Sequence, residues 1–105
     1  MENPIEHLNK AFDSRIRLGI MSALIMNEEV NFNFLKELLQ ITDGNLASHL
    51  KQLEEIKYIK VYKGFIGRKT NTSYKITASG EKAFKVHLSS LEKMIASQSL
   101  ARTRS

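Results

Sequence analysis

Between Lys57 and Lys75 the chain carries six basic side chains (Lys57, Lys60, Lys63, Arg68, Lys69 and Lys75) and no Asp or Glu. Solvated faces usually mix their signs, so a block this biased points to an anionic partner rather than to solubility alone. The bias is regional. Residues 1–56 hold five Lys and Arg against nine Asp and Glu, a balance of −4, whereas residues 57–105 hold eleven against two, a balance of +9. Just upstream lies a second set of different chemistry: Thr42, Asn45, Ser48, His49, Lys51 and Gln52, interleaved with Leu46, Leu50 and Leu53. The leucines recur at helical spacing, which docks one helix face on a core and turns short hydrogen-bonding groups outward. The first set can neutralise charge; the second can read a pattern of donors and acceptors.

Most other chemistry is excluded. The 105 residues include no Cys, which rules out a disulfide scaffold, thiol redox chemistry and thiolate-bound zinc. His7, His49 and His87 lack metal-ligand spacing, so no metal site is expected. Gly64 and Gly67 read as turn residues, because no strand leads through them into a helix as a phosphate-cradling loop requires. There is no nucleophile elbow and no carboxylate pair in an apolar setting, so neither an enzyme nor a cofactor is expected. The longest mostly apolar stretch, residues 18–26, is about half of a membrane span. The N-terminus shows no basic segment followed by an apolar run. No membrane partner is expected, and the expected location is cytoplasmic. A composition of 42% hydrophobic and 26% charged residues fits one globular core.

The elements that would position these groups follow from capping and periodicity. Asn3-Pro4 suits a helix start, followed by Ile5, Leu8 and Phe12 on one stripe. Asp13 or Ser14 can cap a second helix, covered on both sides by Ile16, Ile20, Met21, Ala23, Leu24 and Ile25 and therefore central. Residues 30–32 allow only a strand stub. Asn33 can cap a third helix with Phe34, Leu35, Leu38 and Leu39 inward, and Thr42 can cap a fourth over about residues 43–57. Alternation then predicts strands over 58–63 and 72–76, joined by a long basic tip over 64–71. Thr77 or Ser79 opens a last helix with a stripe of Phe84, Leu88, Leu91 and Ile95, with Met94 beside it. The expected fold is mainly α with a small β-hairpin. It has five helices and a two- to three-stranded antiparallel sheet, in one domain over residues 1–97 with a flexible polar tail over 98–105.

Two helices joined by a short connection and followed at once by a hairpin make a winged helix-turn-helix. On that frame Thr42, Asn45, Ser48, His49, Lys51 and Gln52 line a helix able to enter a major groove. Lys63, Arg68, Lys69 and Asn71 place a wing on phosphates or in the minor groove. Asp43 suits the first turn of the reading helix better than the duplex itself. The terminal stripes Ile5, Leu8, Phe12 and Leu88, Leu91, Met94, Ile95 exceed what one small domain covers, which predicts a homodimer. The predicted partners are double-stranded DNA and a second copy. The alternative is a winged-helix protein-interaction module without specific DNA binding.

The segment 38–54, the hairpin 58–74 with Ile76-Thr77-Ala78-Ser79-Gly80 after it, and the upstream Asp13-Ser14-Arg15-Ile16-Arg17-Leu18-Gly19-Ile20 resemble MarR/ArsR-type winged-helix transcriptional regulators. The likeness is greatest to the small group called winged helix DNA-binding domain proteins. It implies a homodimeric DNA-binding regulator whose first and last helices form the dimer interface. The metal-sensing members of that class rely on cysteines, which this chain lacks.

Overall fold

The structure, a computed structural model, describes residues 5–103, and the side chains of residues 5–97. Its centre is α1 (Arg15–Met26), capped by Ser14, whose hydroxyl accepts from the N–H groups of Ile16 and Arg17. Ile20, Met21, Ala23 and Leu24 are buried. The helix touches α2 (Phe32–Leu39), α3 (Asp43–Glu55), α4 (Ala78–Thr103) and β3 (Lys69–Ile76), as its apolar cover on both sides predicts. β1 (Val30–Asn31), β2 (Ile59–Ile66) and β3 form an antiparallel sheet in the order β1-β3-β2. Val30 pairs with Tyr74, and β2 pairs with β3 from Ile59↔Ile76 to Ile66↔Lys69 without a break. Leu35, Leu46, Leu50, Leu53, Ile59, Tyr74 and Phe84 close the core around α1.

Among the described residues there are four α-helices where the sequence predicts five. The expected start of the first helix, Asn3-Pro4, lies outside the described residues. Residues 5–7 form a turn, followed by one 3-10 helix, Lys10–Phe12. Asn9 explains the interruption. Its side chain accepts from the Ala11 N–H and donates to the Tyr58 hydroxyl, and its own N–H donates to His87 Nδ1 at 3.1 Å. Such bonds draw the backbone away from a helical ladder. Phe12 is thereby seated in the core at 4% exposure, with its ring against Tyr58, Phe84 and His87.

Other boundaries move for similar local reasons. α2 is capped by Asn31 rather than Asn33 and turns Phe32, Leu35 and Leu39 inward, while Phe34 and Leu38 are exposed. Eight residues present one row to α1 and α3, and among the described residues no layer covers the adjacent row. α3 stops at Glu55, short of 57, in a Schellman motif. Lys57 N–H donates to Glu54 O and Tyr58 N–H to Leu53 O, with Lys57 left-handed at φ 65. This turn is stapled to the start of α4: Thr77 N–H donates to Tyr58 O, and its hydroxyl to Lys57 O. Gly80 is required there, because a Cβ would collide with the Tyr58 carbonyl. The backbone of α4 stays helical beyond Gln98, where the sequence predicts a tail, as far as Thr103.

Candidate nucleic-acid interface

α3 is docked through Leu46, Leu50 and Leu53, each exposed by 2% or less. Its outward side carries Asn45, Ser48, Lys51 and Gln52, all exposed, with His49 half-buried on the flank nearest α1. Thr42 caps the helix, its hydroxyl oxygen accepting from the Asn45 N–H at 3.2 Å, so its hydroxyl proton remains to be donated. Asp43 sits in the first turn and pairs with Lys36 of α2 at 2.7 Å. That exposed pair contributes little stability, but it turns the carboxylate toward the preceding helix.

Arg17 is the residue that the sequence reading does not single out. It leaves α1 with Nε donating to the carbonyl of Ala11 at 2.6 Å. Its Nη1 donates to Gln52 Oε1 at 2.7 Å and lies 3.1 Å from His49 Nδ1. A guanidinium has no acceptor, so His49 Nδ1 accepts and Nε2 carries the ring proton. Burial, and then the charge of Arg17, hold the His49 pKa below its ordinary value of 6.5. His49 and Gln52 therefore form a braced flank of α3, while Asn45, Ser48 and Lys51 lie toward solvent. Only the alternation of Arg15 and Arg17 with Ile16 and Leu18 hints at this, and the hint does not say which arginine turns inward.

The wing is tighter than expected. The strands run on to Ile66 and from Lys69, so the long tip predicted over 64–71 is a two-residue turn of Gly67 and Arg68. Gly67 has φ +64, the left-handed first position that a type II′ hairpin turn requires. Pairing of Phe65 with Thr70 and of Gly64 with Asn71 replaces the loop. Because strand side chains alternate, Lys63 and Phe65 lie on the face shared with Ile59 and Val61, against the helices. Lys69, Asn71, Lys60 and Lys75 lie on the other. There Lys60 and Lys75 stand directly opposite each other, with their ammonium groups 5.6 and 5.3 Å from the Tyr62 ring. Lys63, Arg68 and Lys69 are exposed, and Asn71 is half-buried.

Of the residues predicted to form a dimer interface, Ile5, Leu88 and Ile95 are exposed, and Leu8, Leu91 and Met94 are half-buried. Phe12 departs from that expectation: it fills this chain's own core and offers no surface to a second copy. His87, not Leu88, continues the buried stripe of α4 from Phe84, because it accepts the Asn9 N–H. Among the described residues no group of His, Asp and Glu could hold a metal ion, and no helix is long and apolar enough to cross a membrane.

A three-helix core, a short turn between α2 and α3, and a hairpin directly after α3 define a winged helix-turn-helix protein. The chain belongs to the winged helix DNA-binding domain family, whose profile matches residues 16–95. It is 43% identical over 79 residues to the uncharacterized protein MJ0432 of Methanocaldococcus jannaschii, covering 75% of this chain and 86% of that one. Among solved structures it is similar to a transcriptional regulator homologue from Pyrococcus horikoshii OT3, with TM-score 0.74 and 35% identity, over 89% of this chain and 97% of that one. A MarR-family protein from Enterococcus faecalis V583 shares the fold, with TM-score 0.71 and 18% identity, over 97% and 87% of the two chains.

Proposed function

We propose that this chain is a transcriptional regulator that binds double-stranded DNA sequence-specifically as a homodimer in the cytoplasm, without catalytic activity. The observation that carries the reading is one of placement. A hairpin with Arg68 in its two-residue turn and Lys69 next to it is built on the strand against which α3 packs. The outward side of α3 over its first two turns is uncharged apart from the paired Asp43. Asn45 and Ser48, with Lys51 one turn further on, suit base edges in the major groove. His49 and Gln52 suit the same groove from the braced flank. Thr42 donates its hydroxyl proton to a phosphate near the helix start, and Lys63, Arg68, Lys69 and Asn71 take the backbone and the neighbouring minor groove. The dimer reading rests on Leu88, Leu91 and Ile95, which share one side of α4, together with Met94, Ile5 and Leu8. Phe12 is no longer part of it.

The deciding experiment is selection of bound duplexes from a random pool with the purified chain. Enrichment of palindromes with half-sites about one helical turn apart supports both specificity and dimer symmetry. No binding to any duplex at micromolar protein and low salt overturns the reading and favours a protein-interaction module. Sedimentation at the same concentration tests the dimer separately, and a species of 12.0 kDa alone overturns it.

A further inference from the structure

Phe65 and Ile66 are the last two residues of β2 before the tip, and they are 74% and 66% exposed. Their place is unusual for apolar side chains. A hairpin end bearing exposed Phe and Ile invites association, and such ends are ordinarily polar. Here the pair is set among Lys63, Arg68 and Lys69, and residues 57–80 contain no Asp or Glu at all. A ribbon end with an apolar side chain on each face and cations around it fits a surface that is negative outside and apolar within. A DNA duplex has that make-up, with phosphates at the groove edges and stacked bases between them.

Dimensions narrow the mode. A ribbon of two strands about 4.8 Å apart, with side chains on both faces, is too thick to lie in a minor groove roughly 6 Å wide. Only its end can enter, and the end consists of Gly67, Arg68 and the two residues on each side of them. Phe65 projects from the face turned toward the helices, the face that continues Ile59 and Val61 past the edge of the core. It is therefore on the side of the ribbon nearer α3, which packs against β2.

We propose that the wing tip is a wedge that bends DNA: Phe65 enters the minor groove and partly unstacks one base step, Ile66 lies on the opposite face of the ribbon, and Arg68 and Lys69 hold the flanking phosphates. This rests on the DNA-binding reading above and adds an activity to it. Apolar wedges of this kind kink duplexes by about 20–90°. The cost of kinking depends on the step, least at TA and CA/TG, so the wedge selects flexible steps at a position where no hydrogen bond reads the base.

The test uses the full chain and a duplex recovered by the selection, labelled at both ends for energy transfer, with 2-aminopurine at the step under the wing. The wild-type chain shortens the end-to-end distance and raises 2-aminopurine emission. Phe65→Ser returns both to the values of the free duplex, whereas Phe65→Leu keeps them. Neither variant changes the slope of log affinity against log salt, while Arg68→Ala lowers that slope and keeps the bend. Because Phe65 is exposed, both Phe65 variants keep the thermal midpoint of the parent. A bound duplex that stays straight, or a Phe65→Ser variant that bends it as much as the parent, overturns the wedge alone. Absence of binding to every duplex overturns the wedge together with the DNA-binding reading.

Discussion

At the start of α3 and on its flank nearest α1 the polar groups are held from behind, while the Asn45, Ser48 and Lys51 side chains extend into solvent. Thr42 caps the helix, Lys36 takes Asp43, and Arg17 ties His49 and Gln52 to the Ala11 carbonyl. At the wing tip, Lys63, Arg68 and Lys69 extend with no ion pair among the described residues. The contrast matches two tasks. Discrimination between bases needs donors and acceptors fixed in direction before contact, since a wrong base must leave them unpaired. Neutralising phosphates needs charge within reach and tolerates loose side chains, because the gain comes from releasing counterions. On the proposed function, one small fold carries a stiffer reader and a loose, basic arm on adjoining elements.

The contrast between α3 and the wing fails if the two respond alike to mutation. Asn45→Ala or Ser48→Ala is expected to lose about 1–3 kcal/mol, roughly 5- to 150-fold, against the selected site only, with affinity for random duplexes unchanged. Competition anisotropy with selected and scrambled duplexes measures this, and an equal loss on both assigns α3 a mere phosphate role. The double change Arg68→Ala with Lys69→Ala should weaken every duplex by the same factor and reduce the salt slope by about 2. A loss confined to one sequence would make the wing a reader as well.

The two regions were also unequally legible in the sequence. α3 follows from its own residues: the Thr42 cap, the first-turn Asp43 and the leucine row are local signals, and local signals survive folding. The wing's charge was visible but its shape was not. Gly64 and Gly67 look alike in the sequence, yet only Gly67 occupies the left-handed turn, while Gly64 is paired within β2. Register with β3 decides that, and register is a long-range property. The same limit hides the Arg17 brace, whose partners lie 32 and 35 residues away. It also hides the partner of Asn9, 78 residues away, which replaces a first helix with a 3-10 turn and draws Phe12 into the core. Phe34 and Leu38 show the converse: a row with helical periodicity was legible, but the absence of a layer above it was not.

Removing the brace should soften the stiff reader toward the loose one. Arg17→Gln is expected to cost the selected site a few-fold in affinity and to spare random duplexes, because His49 and Gln52 lose a common anchor. It should also move the His49 titration. With the pKa held below 6.5, the unfolded chain binds more protons than the folded one as pH falls through that range, so stability declines toward acid. Well above the ordinary value both states carry the neutral ring and the contribution vanishes. In Arg17→Gln the cationic part of the depression is gone. The His49 ring signals should then titrate closer to the ordinary value, and the acid side of the stability profile should flatten. An unchanged titration would leave burial as the sole cause and detach His49 from Arg17.

The junction between the two regions supplies the smallest expected effect. The stiff helix passes into the arm through Lys57, which stands at φ 65 in the position where helix ends favour Gly. The left-handed conformation costs a residue with a Cβ about 1–2 kcal/mol, partly offset because Gly gains more freedom in the unfolded chain. Lys57→Gly is therefore expected to raise stability by up to about 1 kcal/mol in urea unfolding. It keeps the hydrogen bonds from residues 57 and 58 back to Glu54 and Leu53, and through them the angle at which β2 leaves α3. Its removal of one cation also makes it a test of reach. If the salt slope on random duplexes is unchanged, the basic arm begins beyond the junction. A slope lower by about 1 extends the phosphate-binding surface back to the end of α3 itself.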